Sequence, residues 1–329
     1  MREAAEQKME LKMGKTAYIY PGQGAQYIGM GKELYDSFES VRRLYEEASD
    51  VLGYDISKIS FEENELLDRT EYTQPAMVLM ELAATEVLKE SLGRGADISA
   101  GLSLGEYSAI AEAGALDIIE AVRLVSVRGK LMAEAVPAGV GAMAAVLGAD
   151  ISLIEKITSE TEGSYIANYN CPGQIVITGY AEAVDEASKK LSESGAKRVV
   201  RLNVSGPFHS PLLTPAGEKL SDVLEKSELH DLAHPYIANV NAEYVMRSDE
   251  IKPLLVKQIS SSVRWQQTIE RMLSDGVDTF VEIGPGKTLA GFMKKIMRGV
   301  SGIEGISDVK VINVEKPEDI EKAGGIINA

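Results

Sequence analysis

Ser103 stands in the pentapeptide Gly101-Leu102-Ser103-Leu104-Gly105, within "SAGLSLGEYSA". A serine flanked in this way can act as a nucleophile when a strand runs into the turn and a helix leaves it. The tight turn lifts the hydroxyl clear of the sheet, and the glycines let neighbouring backbone come close. The N–H of Leu104 is then aimed at the reacting carbonyl, above a helix N-terminus that favours negative charge. Such pentapeptides also arise by chance, and then Ser103 is only a small residue in a turn. The flanking segments supply the context the chemistry needs: "ADISA" reads as a strand and "GEYSAIAEAGA" as a helix. Two enzyme classes fit, an esterase or lipase and an acyltransferase.

A serine nucleophile needs a base, and the chain has three histidines, His209, His230 and His234. His209 lies between Pro207 and Pro211 in "SGPFHSP", where a long helix or central strand is disfavoured. A rigid loop of this kind can present an imidazole to a cleft; the plain alternative is a surface histidine in a turn. His230 and His234 form "HDLAH", close to a zinc-binding pattern, but Asp231 replaces its glutamate and Pro235 disfavours helix at His234. These two read as surface residues at a helix end, which leaves His209 as the base and no metal site.

Arg128 is the third residue of interest. A helix predicted from Asp117 to Val136 carries Ile118, Ala121, Val122, Leu124, Val125, Leu131 and Met132 on one broad face. Arg128 falls inside that apolar arc, with Arg123 and Lys130 opposite. A guanidinium placed there requires an anion. The helix position alone slightly favours an internal Asp or Glu over a bound substrate.

These residues need a scaffold. "TAYIYPGQG" and "VDTFVEIGPG" read as strands ending in glycine turns, with helices such as "VRRLYEEASDVL", "QPAMVLMELAATEVLKESL" and "TLAGFMKKIM" between and after them. Strands alternating with helices predict a parallel α/β sheet. Neither glycine turn makes a nucleotide loop: Tyr27 takes the third glycine position of a dinucleotide fingerprint, and Val281 the first of a phosphate loop. The first turn can still lend an N–H to an oxyanion hole. Residues 139–204 change rhythm. "GAMAAVLG", "ISLIEKITSE", "SYIANYN", "GQIVITGY", "AEAVDEASKKLSESG" and "AKRVVRLNV" follow the order βαββαβ, the ferredoxin-like pattern. The expected organisation is a large domain of 14–138 and 205–329, a small ferredoxin-like domain of 139–204, and an N-terminal extension of 1–13.

Composition narrows the partners. The chain has 329 residues and a formal charge of -16, from 34 basic and 50 acidic side chains. That charge argues against nucleic acid or an anionic membrane as a partner. Cys171 is the single cysteine, so an intrachain disulfide is impossible and a reducing compartment, the cytoplasm, is compatible. No apolar run spans a bilayer. The opening "MREAAEQKMELKM" lacks the apolar core of a secretory signal.

Taken in order, "PGQGAQYIGMG", "TQPA", "GLSLGEYSA", "VRGKLM", "GAMAAVLG", "NYNCPGQIVITG", "GPFHSP", "QISSSVRW" and "VEIGPGKTL" resemble one family, from about Thr16 to about Gly299. It is the malonyl-CoA:acyl carrier protein transacylases, related to the acyltransferase domains of polyketide synthases. The resemblance implies an α/β-hydrolase-like large domain and malonyl transfer from malonyl-CoA to acyl carrier protein through a malonyl-serine. It implies Ser103 as nucleophile, His209 as base, the N–H groups of Gln23 and Leu104 as oxyanion hole, and the backbone carbonyl of Gln258 orienting the histidine. It also implies Arg128 as the clamp for the malonyl carboxylate, in place of the internal ion pair. Asn170 matches a position facing the cleft from the small domain, and Phe208 resembles malonyl-selective members. No metal or redox cofactor is implied. Leu102 departs from the family, which usually has histidine there. Carrier proteins of this kind are typically acidic, which makes Lys197, Arg198 and Arg201, or Lys294, Lys295 and Arg298, candidate docking cations. An acyl-carrier-protein thioester hydrolase on the same fold and a non-catalytic interaction module are the rival functions.

Overall fold

The computed structural model describes residues 14–327 except 138, 205 and 304. The extension read at 1–13 and the two junction residues of the small domain, 138 and 205, lie outside the described residues.

Ten strands and thirteen helices of the described chain form two layers. The strands are β1 (Lys15–Tyr20), β2 (Ile98–Gly101), β3 (Gly141–Leu147), β4 (Ser164–Cys171), β5 (Gln174–Tyr180), β6 (Arg198–Arg201), β7 (Tyr236–Ile237), β8 (Tyr244–Val245), β9 (Val277–Ile283) and β10 (Lys310–Val314). The helices are α1 (Lys32–Ser37), α2 (Glu39–Leu52), α3 (Ile56–Phe61), α4 (Thr70–Leu92), α5 (Gly105–Glu112), α6 (Ile118–Glu134), α7 (Ile151–Ser159), α8 (Ala181–Glu193), α9 (Thr214–Leu224), α10 (Ile251–Gln258), α11 (Trp265–Ser274), α12 (Thr288–Gly299) and α13 (Pro317–Ile327).

The large sheet has the order β10-β9-β1-β2-β7-β8 and is parallel except for the β7–β8 pair. β1 sits at its centre and is buried on both faces, as parallel strands covered by helices are. Tyr18 and Tyr20 enter one core with α4 and α5, while Ala17 and Ile19 enter the other with α11 and α12. That division follows from the two-residue side-chain period of a strand.

The small sheet has the order β4-β5-β3-β6 and is antiparallel throughout. In chain order its strands lie 2-3-1-4, the ferredoxin-like arrangement, with α7 and α8 closing a third core around Val146, Ile175, Ile177 and Leu191. A backbone ladder ties this layer to the large one: Val263 N–H donates to Ala167 O and Tyr169 N–H donates to Val263 O. The loop after α10 is thereby fixed against β4.

Candidate active site

The turn after β2 is built by close approach. A Cβ on Gly105 would lie 2.4 Å from Tyr20 O, and one on Gly101 would lie 1.9 Å from the Gly105 carbonyl carbon. Only glycine fits either place. Ser103 itself has φ 53°, and His209 has φ 59°; with Ala242 they are the non-glycine residues at positive φ among those described. Backbone held in this sparsely populated region marks functional sites when the surroundings over-determine it. For Ser103 the constraint is Asn239, whose Oδ1 accepts from Ser103 N–H at 2.6 Å while its Nδ2 donates to Gly101 O at 2.7 Å. For His209 it is the N–H donated to Ile259 O at 3.2 Å.

These two turns face one another. Ser103 Oγ and His209 Nε2 are 2.7 Å apart. The other ring nitrogen, Nδ1, lies 2.9 Å from Gln258 O and 3.2 Å from Ser261 O. Two carbonyl acceptors require Nδ1 to carry the proton, which leaves the Nε2 lone pair for the serine hydroxyl. Burial, then the positive charge of Arg128, pushes the His209 pKa down to about 4 from 6.5, against the opposing pull of the two carbonyls. The imidazole is therefore neutral, and able to accept a proton, throughout the physiological range.

Arg128 lies on the buried face of α6, 1% exposed. The helix passes this close because a glycine follows: a Cβ on Gly129 would lie 2.7 Å from Thr70 O at the start of α4. The guanidinium is held by neutral groups. Nη1 donates to Gln74 Oε1 at 2.9 Å, and Nη2 donates to Gln258 Oε1 at 2.9 Å and to Ser103 Oγ at 3.2 Å. None of the ion pairs among the described residues includes Arg128, which corrects the helix-based reading of an internal Asp or Glu partner. Two amide oxygens orient the fork without consuming its charge.

A cleft of ≈ 480 Å³ opens in front of the serine, between the two layers. Gln23, Leu104, Arg128, Asn170, Phe208 and His209 all reach it. Leu104 caps the N-terminus of α5. Neither its N–H nor that of Gln23 donates to an acceptor among the described residues. Asn170 Oδ1 is buried without a hydrogen-bond partner. The rest of the wall mixes apolar side chains such as Leu102, Met132 and Phe292 with polar ones such as Asn168 and Gln174. A more open cavity of ≈ 640 Å³ lies on the far side of His209 and does not reach Ser103.

The other histidines stand apart. His230 is exposed in the loop between α9 and β7. His234 is not the surface residue expected: its Nε2 lies 2.9 Å from Glu112 Oε2, a buried carboxylate at the end of α5 that also accepts from Ser99 Oγ. The contact has the distance of an ion pair without the alignment of a hydrogen bond. A buried carboxylate recruits a cation from whichever loop covers it. Sequence reasoning missed Gln74, Asn239 and Glu106, all buried beside the serine.

The profile of the acyl transferase domain family matches residues 17–320. A malonyl CoA-acyl carrier protein transacylase of Bacillus subtilis is 46% identical over 316 residues, covering 94% of this chain and 96% of the relative. The solved acyl carrier protein S-malonyltransferase of Vibrio cholerae superposes with TM-score 0.88 at 37% identity, over 94% of this chain and 99% of that one. A malonyl-transacylase solved in complex with its type II polyketide-synthase acyl carrier protein superposes with TM-score 0.89 at 38% identity, over 95% and 99%.

Proposed function

The chain belongs to the malonyl-CoA:acyl carrier protein transacylases of the acyl transferase domain family, and we propose that it carries malonyl from malonyl-CoA to an acyl carrier protein thiol as an ester on Ser103. One observation supports this above the others. A nucleophile–base pair, Ser103 and His209, shares its hydroxyl with a buried guanidinium that makes a direct ion pair with no carboxylate among the described residues. Such a site calls for an acyl group that ends in a carboxylate.

The reaction proceeds in two halves. Ser103 Oγ attacks the thioester carbonyl as its proton passes to His209 Nε2. Charge gathers on the carbonyl oxygen, which takes hydrogen bonds from the N–H groups of Gln23 and Leu104; one such donor is worth about 3 kcal/mol. Collapse breaks the carbon–sulfur bond, and CoA leaves as a thiol with the proton from His209. The phosphopantetheine thiol of the carrier protein then gives its proton to His209, attacks the malonyl ester and regenerates Ser103 on collapse. Arg128 holds the malonyl carboxylate through both halves by parallel charge-assisted hydrogen bonds. Asn170 and Phe208 shape the wall around it. This chemistry calls on no metal or redox cofactor. A cytoplasmic place of action belongs to the same proposal, supported by the single cysteine; no described helix is long and apolar enough to cross a membrane.

The test is Arg128→Ala. It should depress kcat/KM for malonyl-CoA by a factor of about 100 or more, since losing one partner of a buried charged pair costs about 3–5 kcal/mol. Acetyl-CoA, with no carboxylate to lose, should be spared. An unchanged malonyl-to-acetyl ratio would return Arg128 to a structural role.

A further inference from the structure

Gln258 connects the parts of the site. Its backbone carbonyl holds His209 Nδ1, its Oε1 holds Arg128 Nη2, and its Nε2 donates to Ser103 O at 2.8 Å. Its side chain arrives at the end of α10 and is 1% exposed. A buried primary amide in such a place works in only one orientation. Rotated by half a turn, it would set an NH2 against a guanidinium and a carbonyl against a carbonyl. Glu106 enforces the same orientation from a third side. Gln258 Nε2 donates to Glu106 Oε2 at 2.7 Å, and a carboxylate oxygen at that distance requires a donor opposite it. Oε1 is thereby turned to Arg128.

Glu106 is fully buried in the first turn of α5, three residues beyond the nucleophile. It also accepts from Asn239 N–H at 3.2 Å, and Asn239 is the residue that holds Ser103 in its strained turn. Its second oxygen, Oε1, has no hydrogen-bond partner. A buried carboxylate with an unsatisfied oxygen is costly, and unlike Glu112 at the far end of the same helix, Glu106 has no cation in direct contact. Packing does not explain it. It is separated from Arg128 by one amide, so the cation has a counter-charge nearby yet is not paired with it directly. A direct pair would have to be broken by every incoming substrate carboxylate.

We propose that Glu106 is a positioning residue for the carboxylate clamp: through Gln258 it fixes the amide orientation that aims Arg128, and through Asn239 it steadies the turn of Ser103. The inference rests on the reading of Arg128 given above. Burial raises the Glu106 pKa to about 7, while Gln258, Asn239 and Arg128 oppose the shift. The positioning contacts survive protonation, because the acceptor Oε2 can remain unprotonated while Oε1, which has no partner, takes the proton.

Two conservative variants separate position from charge. Glu106→Gln keeps an oxygen where Oε2 lies and removes the charge. Glu106→Asp keeps the charge and withdraws the oxygen by one methylene. Acylation by malonyl-CoA and by acetyl-CoA is measured on each, with thermal melts alongside. The aspartate variant should lose about tenfold in its malonyl-to-acetyl ratio of kcat/KM, the scale of one hydrogen bond to a charged group. The glutamine variant should stay within about threefold of the parent ratio, the sign that its conserved oxygen rescues the clamp. A lowered melting temperature with an unchanged ratio in the aspartate variant overturns the proposal in favour of a purely structural acid. A loss of ratio in the glutamine variant with retention in the aspartate variant overturns it in favour of charge. If the parent protein shows no preference for malonyl, it is the Arg128 reading that fails, and the parent measurement reveals this independently of either variant.

Discussion

The imidazole of His209 makes the first measurable claim. Its conjugate acid is destabilised by burial and by Arg128, so the free enzyme holds a base with a pKa of about 4. kcat/KM reports groups of the free enzyme, and its acid limb should fall below the ordinary histidine value of 6.5. A malonyl carboxylate on Arg128 cancels that cation, which favours protonated His209. The acid limb of kcat for malonyl-CoA should therefore lie above that of kcat/KM. In Arg128→Ala the acetyl-CoA limb should move up, though short of 6.5, because burial, the larger cause, remains. Rate profiles between pH 3.5 and 8 check both signs. The residues themselves were legible to different degrees. Ser103 shows in its flanking glycines and Arg128 in the helical period, because both signals are local. Asn239 and Glu106 carry no such signal: their meaning comes from contacts to Ser103 and Gln258 across more than 130 residues of sequence. Gln74 lies within the "TQPA" landmark, yet nothing in that tetrapeptide tells that its oxygen meets Arg128.

Elements were read more completely than side-chain partners. The strand into Ser103, the helix out of it and the βαββαβ order of the small layer follow from period and turn residues. In the loop after α9, His230 is exposed as expected but His234 is not, since "HDLAH" looks like surface and only the fold brings His234 to Glu112. That pair makes a prediction about stability. Burial opposes the charge of Glu112, but His234 and Ser99 outweigh it and its pKa is lowered. Burial likewise opposes His234, and Glu112 outweighs it and raises its pKa. The carboxylate contributes above its ordinary 4.5 and loses that contribution as pH falls through the lowered value. The imidazolium contributes below its ordinary 6.5 and loses that contribution as pH rises through the raised value. Removing His234 should therefore cost most between those two values, about 1–3 kcal/mol, with a shrinking difference on either side. Thermal melts of His234→Ala and its parent across pH 4 to 9 give that difference directly; a difference flat with pH would contradict the pairing.

At the scale of the whole molecule, the proposed transfer brings a carrier protein, of a kind typically acidic, to a chain of charge -16. α12 offers the place: Thr288 and Phe292 reach the cleft, while Lys294, Lys295 and Arg298 are exposed on the same helix and enter none of the ion pairs among the described residues. Arg201, in the other candidate patch, is already paired with Asp185. Neutralising Lys294, Lys295 and Arg298 together should weaken transfer to carrier protein more than self-acylation by malonyl-CoA. Added salt should mimic the change, since exposed charges are screened within about 8 Å at physiological ionic strength; equal loss in both half-reactions would count against docking there. All of this depends on a covalent malonyl-serine, and intact mass spectrometry observes it directly. Mixed with malonyl-CoA, the parent protein should gain one malonyl group on Ser103 and lose it to added phosphopantetheinylated carrier protein faster than to water. The folded Ser103→Ala protein should gain nothing. Malonyl persisting on that variant, or passing from the parent to water in preference to the carrier, would contradict the account.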